Sequence, residues 1–293
     1  MSLTKREVRE VKWKLKRANQ KQRFIFLDAM DVNPSADEIF KQLKDQDITC
    51  PQCGVIGEYR KHGTTSAGTQ RYRCTACGRT FVEDYNRPTY GSRHAEAKWK
   101  AFFEDMIKGE PLSVLATRFG LSTRTAFDWR HKLLHALGKA QAPAKLSGRV
   151  WADETYLNTN KPGRGSAPGH GKTTVLTAQD CYNRLFVRNV SSGQGATTKK
   201  IKKAIGDVLD YEHSTLVSDD ASNLISLSDE HGIEHETYKA DEHDGELDLI
   251  NWLHSHFKQW IKNFRGVATK YLQNYLNWYR YVKKKRHATP LKN

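Results

Sequence analysis

Val150-Trp-Ala-Asp-Glu-Thr-Tyr-Leu157 reads as a hydrophobic strand with an aspartate, Asp153, in its interior. Acidic side chains are unwelcome inside strands unless they face water or are used. Two more strand patterns follow, 173–178 and 184–190, joined by the short turn Asp180-Cys-Tyr-Asn-Arg184. They predict a hairpin, with Cys181 a bystander at its turn. Residues 197–210, TTKKIKKAIGDVLD, form an amphipathic helix pattern. A fourth strand, 214–218, runs into Asp219-Asp220, and 235–238 reads as a fifth.

The order βββαβ, then a strand and a long helix, predicts an RNase H-like α/β sheet. Where the first and fourth strands are neighbours, Asp153 and Asp219 converge. Such a pair suits Mg²⁺ or Mn²⁺, which take carboxylate, carbonyl and water oxygens. Two ions about 3.5–4 Å apart can activate a hydroxyl and stabilise a leaving oxygen. The spacing alone equally allows two independent surface aspartates, and Asp220 could stand in for Asp219. The loop 158–172, NTNKPGRGSAPGHGK, ends like a P-loop, but position 166 is Ser166 and Lys172-Thr173 enters a strand. It reads as a basic loop beside a site, with Lys172 able to touch phosphate.

The long helix lies within 246–279. Ile250, Leu253, Phe257, Trp260, Ile261 and Phe264 share one apolar face. Asn251, His254, Ser255 and Lys258 share a polar one. Glu154, Glu246 and Asp248 are further acidic candidates nearby. Residues 141–148, QAPAKLSG, form the joint before a domain placed at 149–280, and 281–293 form a basic tail.

Cys50-Pro-Gln-Cys53 and Cys74-Thr-Ala-Cys77 are two C-x2-C knuckles twenty residues apart. Four thiolates so placed can close one structural zinc site, and 49–82 reads as a zinc ribbon. Gly54 and Gly78 follow the knuckles. Tyr59, Arg60, Lys61, Arg71, Tyr72 and Arg73 offer a basic, aromatic surface on its hairpin. Residues 1–48 read as helical, with Ser35 and Glu38 a capping box, and serve either as scaffold or as a DNA-contacting arm. After a linker at 83–95, residues 96–140 hold a helix-turn-helix pattern: 112–119, a turn at Gly120-Leu121, then a helix capped by Ser122. Ser122, Thr123, Arg124, Asp128, Arg130 and Lys132 are expected on the outer side of the second helix.

The chain has 293 residues, with 48 Lys and Arg against 33 Asp and Glu, a net of +15. That excess favours a polyanionic partner, with nucleic acid first. The first residues lack the apolar core of a secretory signal, and no run approaches the ~18 apolar residues of a membrane span. The expected location is cytoplasmic, where paired C-x-x-C motifs bind metal more often than they form disulfides.

Trp151-Ala-Asp153-Glu-Thr-Tyr, Val217-Ser-Asp219 and Asn251-Trp-Leu-His254-Ser-His-Phe-Lys258, followed by Phe264-Arg-Gly-Val-Ala-Thr-Lys-Tyr-Leu-Gln-Asn-Tyr-Leu276, resemble the DDE-type insertion-sequence transposases of the ISXO-like group. The resemblance extends over nearly the whole chain, zinc ribbon included. It implies an acidic triad on an RNase H-like fold holding two Mg²⁺ or Mn²⁺ ions. Asp153 would be the first ligand and Asp219 the second. Asn251 stands at the third position, where most DDE enzymes carry Glu. Lys258 would face DNA phosphate. The implied activity is binding of element ends, metal-dependent strand cleavage and strand transfer, by a homodimer on double-stranded DNA in a prokaryotic cell, at the nucleoid when DNA-bound. DNA contacts are expected from Arg60, Lys61, Arg71, Arg73, Ser122, Arg124, Arg130, Lys172 and Lys258. The alternatives are a non-catalytic zinc-ribbon and helix-turn-helix regulator derived from a transposase, and a nuclease acting on branched DNA.

Overall fold

The computed structural model describes residues 35–44, 48, 50–53, 55–82, 87–141, 145–160, 171–191, 196–220, 222–239, 245–264 and 266–287. The expectations for residues 1–34, Gly54, 161–170 and 288–293 lie outside these. The chain divides into two compact units, one of residues 34–142 and one that includes residues 143–293.

In the first unit, α1 (Ala36–Lys44) opens on the reciprocal capping box: Glu38 N donates to Ser35 Oγ at 3.2 Å and Ser35 N to Glu38 Oε2 at 2.7 Å. A three-stranded antiparallel sheet follows, β1 (Tyr59–Thr64), β2 (Gln70–Cys74) and β3 (Thr80–Val82). Its core is small: Tyr72, Phe81, Cys50 and Cys74, with Ile48 and Tyr59 against them. Tyr72 therefore leaves the expected outer surface; it pairs with Lys61 and Phe81, and at 7% exposure it fills the ribbon's interior.

Three helices complete this unit, α2 (Glu96–Ile107), α3 (Leu112–Arg118) and α4 (Thr123–Ala140). Gly120 turns the chain between α3 and α4 at φ +55°, in the left-handed region glycine tolerates. Ser122 Oγ then accepts from Thr125 N at 3.0 Å. The core centres on Trp129, stacked on Trp99 with centroids 3.7 Å apart. Arg130 also differs from expectation. It lies on the face of Ala126, Leu133, Leu134 and Leu137, is 5% exposed, and donates from Nη2 to the Glu110 carbonyl at 3.1 Å.

The second unit is built on β4 (Leu146–Asn158), β5 (Lys172–Asp180), β6 (Leu185–Asn189), β7 (Leu209–Asp219) and β8 (Glu234–Tyr238). The sheet order is β6-β5-β4-β7-β8. The first three strands are antiparallel, while β7 and β8 run parallel to β4. This is the RNase H-like arrangement. Helix α5 (Thr198–Gly206) leads into β7, and α6 (Ser222–His231) makes the β7–β8 crossover. That helix is a structural addition to the sequence reading. Parallel neighbours require such a connection.

Val150, Ala152, Leu176, Ala178 and Leu216 pack under α5 and α6. The opposite face packs under α7 (Asp248–Lys262) and α8 (Leu272–His287), through Val175, Phe257, Leu272, Leu276 and Tyr279. Ile250, Leu253 and Phe257 of α7 are each at most 3% exposed. Each contributes roughly 1.5–3 kcal/mol by burial, which fixes how α7 lies on the sheet.

The β5–β6 turn is held by Asp180, whose side chain is wholly buried. Its carboxylate accepts from Ser147 N, Tyr182 N, Arg184 N and Arg184 Nε at 2.6–3.2 Å. Asp180→Ala is expected to cost about 3 kcal/mol, because it strands three amides and a guanidinium. Urea denaturation checks this, and a negligible loss would refute it.

Candidate active site and metal centre

Trp151 of β4 is level with Val217 of β7, and the strands run parallel. Two residues further on, Asp153 and Asp219 therefore lie beside each other on the same sheet face. β7 ends at Asp219, so the strand register sets Asp219 level with Asp153, and Asp220 lies just beyond the strand. Trp151 packs with the α7 cluster, which puts Asp153 on the α7 side. Glu154 faces the other way, where its Oε1 accepts from Asn223 Nδ2 of α6 at 3.3 Å.

The carboxyl of Asp153 is pushed up to about 7. Burial is the main cause and the charge of Asp219 the next. An amide bond from Glu154 N at 2.6 Å and the Lys258 ammonium pull it back in part. Glu154 is also raised, by burial and by Asp219, against its bond from Asn223. Two carboxylates crowded at the end of a sheet, one of them pushed toward neutrality, form a site that a cation would relieve.

Across from Asp153, α7 supplies His254, with Nδ1 3.5 Å from Asp153 Oδ2. Burial, helped by Lys258, lowers this imidazole to about 4. His254 is thus neutral near pH 7 and its contact with Asp153 is no ion pair. Nε2 is buried without a partner. His254 was legible as a member of the polar face, yet its place against Asp153 comes only with the fold. Asn251 is exposed one turn earlier, and among the described residues its amide bonds neither aspartate. Lys258 is exposed one turn later, close enough to act on both Asp153 and His254. Glu246 is committed elsewhere: it pairs with Arg149 Nη2 at 2.9 Å, and Arg149 also pairs with Glu236. This ties the start of α7 to β4 and β8.

For Mg²⁺ or Mn²⁺ the donors fit. Mg²⁺ commonly uses one or two carboxylates, fills the rest of its shell with water and substrate phosphate, and needs no closed protein cage. Among the described residues, the one cluster of three or more His, Cys, Asp or Glu ligand atoms is Cys50, Cys53, Cys74 and Cys77, all within 4.8 Å of one another. Cys50 Sγ lies 3.5 Å from Cys77 Sγ and Cys53 Sγ 3.6 Å from Cys74 Sγ. Four sulfurs about 2.3 Å from a tetrahedral zinc would be about 3.8 Å apart. The Cys₄ group fits a zinc ribbon.

The DNA-contact candidates are unevenly placed. Arg60 faces Arg73 across β1 and β2, and Arg71 shares their sheet face. All three are exposed, and among the described residues none pairs with a carboxylate. Lys61 is exposed too. Arg124 is exposed but bonded to Asp128 at 3.3 Å, and Ser122 is occupied as a helix cap. Lys172 is exposed at the start of β5.

Residues 145–282 match the family model described as the ISXO2-like transposase domain. No curated protein matches the chain. Among solved structures it is similar to the Mos1 transposase catalytic domain with raltegravir and Mn, at 10% identity and TM-score 0.28, over 56% of this chain and 94% of that one. It is similar to the Mos1 paired-end complex with the left transposon end, at 11% identity and TM-score 0.28, over 98% of each chain. A pre-cleavage Mos1 transpososome gives 10% and 0.27 over the full length of both. No helix among the described residues is long and apolar enough to cross a membrane.

Proposed function

Residues 145–282 being an ISXO2-like transposase domain, we propose that this chain binds the ends of an insertion sequence and catalyses their cleavage and strand transfer. The observation that carries this is the Asp153–Asp219 pair, half-buried side by side on parallel strands with one carboxyl pushed up to about 7. Asp153 and Asp219 would hold the divalent ions. Bound there, such ions supply an activated hydroxyl and charge neutralisation at the phosphate.

Water attacks the phosphorus at the element end, the P–O3′ bond breaks, and the proton ends on the freed 3′-OH. That 3′-OH attacks a phosphodiester of target DNA, and one P–O3′ bond replaces another. The second step needs no external energy source. Lys258 neutralises phosphate next to the reacting one. His254, neutral and packed on Asp153, fixes the orientation of that carboxylate. Arg60, Arg71 and Arg73 place three like charges on one small face, and Lys61 is exposed on the other side of the sheet. Such crowding is unfavourable until phosphate neutralises it. Arg124 and Lys172 add to the DNA surface, and the working form is a dimer bridging two ends.

The test is incubation of the zinc-loaded chain with DNA carrying the inverted repeats that flank its gene. Cleavage and joined products are expected in Mg²⁺ or Mn²⁺ and none without either. Binding without cleavage in both metals would instead identify a regulator, and cleavage without joining a nuclease.

Asn251 is the weakest ligand of the set, since an amide oxygen neutralises no charge. Asn251→Ala is expected to lower cleavage about tenfold, and Asn251→Glu to retain part of it. Metal titration of both variants checks this, and an unaffected Asn251→Ala removes the residue from the metal shell.

A further inference from the structure

His254 packs on one aspartate of the centre. The other, Asp219, is the last residue of β7. Behind it, on the α6 side of the sheet, lies a second histidine, His235 of β8, level with Leu216. Both its ring nitrogens meet serines. Nδ1 is 2.9 Å from Ser228 Oγ of α6, and Nε2 is 2.9 Å from Ser218 Oγ of β7. Both serines are buried. Ser218 Oγ also donates to the Asp219 carbonyl at 2.6 Å, and Ser228 Oγ to the Ile225 carbonyl at 2.8 Å.

Each hydroxyl has one proton. If both serines direct it to carbonyls, both ring nitrogens must donate and His235 must be charged. Burial lowers this imidazole, against the charge of Asp229 on α6, so the ring carries one N–H near pH 7. One serine therefore turns its proton to the ring. Ile225 lies within α6, where its carbonyl also accepts along the helical ladder, so Ser228 loses least by turning. The order is then Ser228 O–H to Nδ1, Nε2–H to Ser218 Oγ, and Ser218 O–H to the Asp219 carbonyl. A charged ring would donate from Nε2 as well, so the half that reaches Asp219 is the same in either state.

We propose that His235 is a positioning residue for Asp219, acting through the Ser218 hydroxyl. This rests on the proposed Asp153–Asp219 metal centre. The Ser218 bond fixes the peptide that leaves Asp219 at the point where β7 ends. A carboxylate is only as well aimed as the backbone that carries it, and groups behind a metal's ligands commonly change its affinity about 10–100-fold.

The test is Mn²⁺ titration of the full zinc-loaded chain without DNA, read from the electron paramagnetic resonance signal of free Mn²⁺. His235→Leu is expected to weaken Mn²⁺ binding about tenfold. Ser218→Ala should do the same, and the double variant should be no weaker than either, since both break one relay. His235→Gln, whose amide N–H reaches the place of Nε2, should bind as wild type does. Unchanged affinity in Ser218→Ala, additive losses, or a glutamine variant as weak as the leucine one overturns the relay. If His235→Leu does not fold, Ser218→Ala and His235→Gln decide alone. A wild type that holds Mn²⁺ no more tightly than Asp153→Asn overturns the metal centre, and the transposase function with it.

Discussion

Replacing Asp153 or Asp219 with asparagine is expected to lower strand cleavage by about a thousandfold or more, roughly 4 kcal/mol of transition-state stabilisation, with DNA binding retained. Asparagine keeps the volume and one oxygen but removes the charge. The same Asp153→Asn variant is expected to be more stable than wild type when Mg²⁺ and Mn²⁺ are absent and zinc is kept. In the folded chain the Asp153 carboxyl is pushed up to about 7 by burial and by Asp219; unfolded, it returns to about 3.9. Between these values the folded state binds more protons, so wild-type stability falls as pH rises through the window and stays low above it. The variant lacks that loss. Its advantage should be absent near pH 4 and full by pH 8, read from the thermal transition of the catalytic unit. Full cleavage by either variant, or a lower transition for Asp153→Asn at pH 8, would remove the pair from the site.

The register that joins these aspartates was largely readable. An aspartate inside one hydrophobic strand and another at the end of a second are visible as patterns, and the strand series implied which strands are neighbours. The helix α6 was not. Ser-Asn-Leu-Ile-Ser-Leu-Ser-Asp-Glu-His, residues 222–231, carries few apolar positions, of which Leu224 and Leu227 are buried. The signal for it is topological, since parallel β7 and β8 demand a crossover. Arg130 and Tyr72 show the reverse error. Arg130 is four residues from Ala126 and seven from Leu137, squarely on the buried face, and its charge argued for the surface against its spacing. Tyr72 alternates with Arg71 and Arg73, and alternation alone placed it inward. His254 needed the fold itself: sequence sets it on a polar face, and only the lie of α7 brings that face to Asp153.

Zinc removal should have the second large effect, confined to the ribbon. The sheet β1–β3 has a core of little more than Tyr72 and Phe81, with Tyr59 and Ile48 at its edge. At roughly 1.5–3 kcal/mol per buried side chain, that burial is outweighed by the ordering entropy of a segment this long, about 1–2 kcal/mol per residue. Structural zinc supplies about 10–16 kcal/mol of apparent binding energy in comparable peptides, which is the scale needed to close the difference. The purified chain is therefore expected to carry one zinc, and either a strong chelator or Cys74→Ser should release it. Amide exchange across residues 59–82 should then become fast, while the strands from Leu146 onward keep their protection. Arg60, Arg71 and Arg73 face the same way only because β1, β2 and β3 are in register. Loss of zinc should therefore scatter these charges, weaken duplex binding and flatten its salt dependence by up to about three phosphate contacts. Protected ribbon amides in a chelated, zinc-free chain would show that the four cysteines are not its clasp. An unchanged salt slope after zinc loss would show that this face does not meet DNA.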